Sequence, residues 1–137
     1  MKRRFLAPLL VLACLALAAP ASAAISGNYS GETSQDLSAL DEPYKTDISI
    51  TVLNGRIVAI AAELRLECSP TEITDARVFK SYPSTRGPKI AGGFAFKVQG
   101  VRVEGAIGKK SGSGGLAATK GGCSGKGTWQ VKRRKDW

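Results

Sequence analysis

The residues of this 137-residue chain that can do chemistry are three cysteines, eleven carboxylates and twenty cations; there is no histidine. Without histidine, Ser-His-Asp and Cys-His nucleophilic catalysis are closed, and so is the usual proton shuttle near neutral pH. Cys14 sits in an apolar N-terminal run, which leaves Cys68 and Cys123 for the rest of the chain. Two thiolates fall short of the three or four Cys/His ligands that zinc takes, so neither a metal site nor a cofactor is expected. In an exported chain such a pair is expected as a disulfide, with a free-cysteine nucleophile excluded. The closed loop of about 56 residues is worth about 4 kcal/mol in the chain-entropy treatment.

Two carboxylates facing each other across a cleft can hydrolyse a glycosidic bond. The candidates are Glu32, Asp36, Asp41 and Glu42, but nothing in their spacing fixes two of them at one cleft, and no enzyme is expected. The stretch Gly121-Gly122-Cys123-Ser124-Gly125-Lys126-Gly127-Thr128 invites comparison with a phosphate-binding loop. It fails, because Lys120 stands where the motif needs glycine and Gly127 where it needs Ser or Thr.

The cations Lys132-Arg133-Arg134-Lys135, with Lys109-Lys110, form the candidate binding set. Four adjacent cations suit an anionic surface or polymer, at about 1 kcal/mol per residue near a charged membrane. The competing reading is a solvated end that keeps a β protein soluble and blocks edge pairing. A single-strand nucleic-acid platform needs interleaved aromatics. Only Trp129 and Trp137 are at hand, so no specific nucleic acid is expected.

The elements that must carry these residues begin after a leader. Met1-Lys2-Arg3-Arg4, an apolar run over 5–19 and the small residues Ala21-Ser22-Ala23-Ala24 have the form of a signal peptide cut between Ala23 and Ala24. The run is shorter than the roughly 20 residues of a membrane span. A retained signal anchor and a lipid anchor on Cys14 are the alternatives; Leu12 fits a lipobox poorly. The chain after the leader keeps 17 bases and 11 acids, net +6. Residues 24–68 hold seven acids and three bases, whereas 69–137 hold four acids and fourteen bases. The expected location is secreted or periplasmic. Asn28-Tyr29-Ser30 matches a glycosylation acceptor, but the Arg-rich, Ala-rich leader has a bacterial look and no glycan is expected.

Periodicity then reads as β almost throughout. Residues 25–33 alternate, 34–45 form an acidic loop, and 47–53 alternate with Ile48, Ile50 and Val52 on one face. Asn54-Gly55 signals a type I′ hairpin, pairing Val52 with Ile57. Past it the apolar residues Ile60, Leu64 and Leu66 are even-numbered, so one extra residue near Val58-Ala59 is predicted as a β-bulge; a helix over 57–68 is the competitor. A weak strand is expected over 76–80, a loop over 81–89, and strands over 90–98 and 101–107 around a Gln99-Gly100 turn. Residues 109–115 read as a Gly/Ser loop and 116–119 as a strand. Residues 120–127 read as a turn holding Cys123, followed by a last strand with Trp129 and Val131 inward. Residues 132–137 are taken as a basic tail. The expected core is Ile48, Ile50, Val52, Ile60, Leu64, Leu66, Phe94, Phe96, Val101, Val103, Ile107, Trp129 and Val131.

The markers Gly27-x-Tyr29-x-Gly31-x-Thr33, Asn54-Gly55-Arg56-Ile57, Cys68, Gly92-Gly93-Phe94, Gly105-x-Ile107, Cys123 and Trp129 resemble those of many small exported bacterial β-domain proteins. The resemblance implies a β fold and a disulfide and carries no activity. The expectation is therefore all-β: a small antiparallel β-barrel or β-sandwich of seven to nine strands with one disulfide, forming a single domain over 24–131. Its expected role is a non-enzymatic extracytoplasmic binding or structural module with a basic face. A carrier with an apolar barrel cavity and a carboxylate hydrolase are the alternatives.

Overall fold

The computed structural model describes residues 24–68 and 72–135. The leader, its expected cleavage bond after Ala23 and Cys14 lie outside the described residues, as do Asp136 and Trp137. The chain forms eight antiparallel strands and, among the described residues, no helix. They are β1 (Gly27–Gln35), β2 (Tyr44–Leu53), β3 (Arg56–Glu67), β4 (Ile73–Ser81), β5 (Phe94–Val98), β6 (Val101–Ile107), β7 (Ser111–Lys120) and β8 (Cys123–Arg133).

Two four-strand meanders make one sheet in the order β4-β3-β2-β1-β8-β7-β6-β5. The first and last strands pair from Tyr29↔Arg133 to Ser34↔Thr128. Where β1 ends, β8 reaches β3 at Glu67↔Ser124, so the sheet curls into a barrel-like closure. The Cys68–Cys123 disulfide lies beside that junction. Burying the inward residues of alternating strands is what drives the curl.

The hairpin after β2 turns at Asn54 (φ 49°) and Gly55 (φ 76°), both in the left-handed region that a type I′ turn demands. Val52 pairs with Ile57 and Thr51 with Ala59, which leaves Val58 as the extra residue of a bulge. The slip turns Ile60, Ala62, Leu64 and Leu66 inward with Ile57. The helical alternative over this stretch is thereby excluded.

Trp129 fills the centre of the second meander. Its indole Nε1–H donates to the carbonyls of Glu104 and Gly115, each at 3.2 Å, and Phe94 stacks on it at 6.1 Å between centroids. A Cβ at Gly114 would lie 2.7 Å from the indole Cζ2. This corrects the expected 109–115 loop. The turn is confined to residues 108–110, and Gly112, Gly114 and Gly115 are strand residues of β7; the indole lies against Gly114, and a Cβ at Gly112 would meet Ile107 on β6. Cys123 likewise opens β8 rather than sitting in a turn, since Gly121 and Gly122, both at positive φ, make the reversal alone.

Three further expectations change. β4 is a full nine-residue strand paired along β3; its residues are mostly exposed, so no clean alternation marks it. The basic tail is shorter than expected, because Lys132 and Arg133 belong to β8. Phe94 and Phe96 are half-buried, Phe94 stacked on Trp129 and Phe96 beside Phe94, while the other expected core residues are buried. Tyr29, Ile57, Val78, Ile90, Val98 and Leu116 join them. No helix among the described residues is long and apolar enough to cross a membrane.

Candidate anion-binding surface

Strand register assembles a row of cations that is dispersed in sequence. Lys97 on β5 pairs with Arg102 on β6, Arg102 with Ala117 on β7, and Ala117 with Lys126 on β8. Paired residues share a face, so these side chains line up across the outer surface, perpendicular to the strands. At about 4.8 Å per strand, the row spans about 14 Å. All three cations are exposed.

The row borders a cleft of about 510 Å³, also lined by Asp36, Leu37 and Glu67. Glu67 has a structural task there: its Oε1 accepts from the backbone N–H of Ser38 at 2.7 Å and from the Ser38 hydroxyl at 2.9 Å. It thus ties the loop over 36–43 to the end of β3. Arg102 pairs with Glu104 at 3.4 Å. Lys97 and Lys126 have no ion-pair partner among the described residues. With Ala117 between them, the row presents positive charge over a small, flat floor.

The cations singled out in the sequence gather at the far end of the same meander. Lys109 and Lys110 occupy the β6–β7 turn, and the Arg133 N–H donates to the Lys110 carbonyl at 2.9 Å. Lys132 stands opposite Ser111. Arg134 donates its N–H to the Asn28 carbonyl at 2.8 Å, which fixes the backbone beyond β8. Lys135 follows, exposed. The lysine pair and the basic run, more than twenty residues apart, therefore form one cluster.

Arg133 also lies near Tyr29, whose hydroxyl donates to the Gly108 carbonyl at 2.8 Å. Burial pushes the Tyr29 phenol above its ordinary value, and the guanidinium offsets part of that rise. Of the four carboxylates considered for hydrolysis, Asp36 lines the cleft. Glu32 is on β1 with Lys45 at 3.9 Å, and Asp41 and Glu42 stand exposed in the loop after β1. The structure does not bring these four together. Among the described residues, no cluster of three or more Cys, Asp or Glu is placed to hold a metal ion.

The sequence reading missed Lys97, Arg102 and Lys126. Their shared outward parity was visible on each strand, but the order β5-β6-β7-β8 was needed to place them side by side. The chain matches no family model, no curated protein and no solved structure.

Proposed function

We propose that this chain is an exported, non-enzymatic binding module that holds a linear polyanion, such as an acidic polysaccharide, along the outer face of β5–β8. The observation that carries this reading is the Lys97–Arg102–Lys126 row, continued at the other end of the meander by Lys109, Lys110 and Lys132. Cations held on paired strands keep fixed spacing, so a polymer with regularly placed carboxylates or sulfates meets several at once. Each exposed contact is weak alone and screened by salt; several in register add by effective concentration. The interior is occupied by large, fully buried side chains, Trp129 and Tyr29 foremost, which favours an external site over a carrier cavity.

The test is titration of residues 24–137 with dextran sulfate at rising salt. Binding at low salt, lost as salt screens the charges, is expected. The triple variant Lys97→Gln, Arg102→Gln, Lys126→Gln should weaken it at least tenfold with an unchanged melting curve. Absence of binding at low salt overturns the proposal, as does equal binding by the triple variant.

A further inference from the structure

β4 is the last strand of the sheet on its side, and among the described residues the seam between it and β5 carries no ladder. One side chain spans the seam. Gln99, in the β5–β6 turn, accepts the Phe79 N–H at 2.7 Å and donates to the Phe79 carbonyl at 3.2 Å. Both main-chain groups of Phe79 thus point away from β3. By the alternation of an antiparallel ladder, those of Arg77 and Asp75 point the same way and, among the described residues, have no strand beside them.

We infer that this edge pairs with the β4 edge of a second copy, antiparallel about a two-fold axis through Ala76. Such an interface is isologous, so the strand must complement itself. One register does so. With Ala76 opposite Ala76 of the second copy, Asp75 meets Arg77 and Arg77 meets Asp75 on the outer face. Ile73, 47% exposed, meets Phe79, 79% exposed, and on the other face Glu72 meets Lys80. Shifting the axis to residue 75 sets Asp75 against itself, and shifting it to residue 77 sets Arg77 against itself. Both place like charges directly opposite, which is destabilising. Complementarity therefore selects a single alignment.

The main-chain groups of Asp75 and Arg77 supply four hydrogen bonds across the axis, and Gln99 gives up the Phe79 N–H and carbonyl to Ile73 of the second copy. The most exposed large apolar side chains of the strand become each other's cover. Partner and edge are the same sequence, and the anion-binding row lies on the other meander, so the inference stands apart from the function proposed above.

Sedimentation of residues 24–137 tests it, with dimer rising with concentration. Arg77→Asp puts two carboxylates opposite each other and should weaken association at least tenfold. Ala76→Cys sits on the axis, in a non-hydrogen-bonded pair whose Cα atoms approach to about 4.5 Å, within the range of a disulfide. Under mild oxidation it should give a covalent dimer, whereas Arg77→Cys, facing Asp75, should not. A purely monomeric chain at about 1 mM overturns the inference, as does equal cross-linking by the two cysteine variants. Should Arg77→Asp unfold, the cysteine pair still decides.

Discussion

Gln35 acts toward Arg65 as a strand would. Its buried amide donates Nε2–H to the Arg65 carbonyl at 2.9 Å and accepts the Arg65 N–H on Oε1 at 2.8 Å. A side-chain amide carries the same donor and acceptor as a peptide group. One glutamine therefore completes the edge of β3 where β1 runs out.

Gln35→Leu removes both bonds while keeping much of the volume. It leaves the Arg65 N–H and carbonyl without partners, at about 1–3 kcal/mol for each buried group. A loss of about 2–4 kcal/mol in urea unfolding is expected. Gln35→Glu should not restore the loss, because a carboxylate cannot donate to the Arg65 carbonyl.

The Cys68–Cys123 bond joins the end of β3 to the start of β8. Reduction, or the paired change Cys68→Ala with Cys123→Ala, should lower unfolding stability by about 4 kcal/mol. Denaturant midpoints with and without reductant check this. An unchanged midpoint would show that the β3–β8 contact holds without the covalent link.

Gly114→Ala should be among the most damaging small changes. The added methyl meets the indole of Trp129 and the Glu104 carbonyl, and overpacking of this kind costs about 1–3 kcal/mol. Near-ultraviolet circular dichroism should report the displaced indole. Gly121→Ala, with no side chain or backbone within reach of its Cβ, pays the cost of positive φ and should leave the Trp129 signal intact.

Tyr29 makes stability depend on alkaline pH. Its phenol titrates above the ordinary value of 10.0 in the folded chain, so the unfolded chain gives up the proton first. The contribution is complete below pH 10 and is lost as pH rises through the raised folded value. Tyr82 is raised by burial too and adds in the same direction. Tyr29→Phe should flatten the fall above pH 10, while costing about 1 kcal/mol at neutral pH through the lost bond to Gly108.

What was legible in the sequence was whatever period and turn chemistry encode. Asn54-Gly55 set the hairpin, and the change of parity between Ile57 and Ile60 located the Val58 bulge. Glycine misled, because Gly112 and Gly114 have the composition of a loop, yet a Cβ on either would run into β6, and at Gly114 also into the indole of Trp129, which is distant in sequence. β4 was read too short because exposed strands have no inward stripe to betray them. Gln35 gave no signal at all: a polar residue followed by Asp36 reads as the start of a loop until Arg65 is beside it. Lys97, Arg102 and Lys126 needed the order of the strands.

The pairing of β1 with β8 has a temporal consequence. β1 gains β2 as soon as the first hairpin closes, but its other flank has no neighbour until residues 128–133 have been synthesised. That contact joins segments about a hundred residues apart, the kind of distant pairing that forms late and slowly. A chain whose last strand is not yet available therefore holds the first meander complete, the second one strand short, and no closure between them.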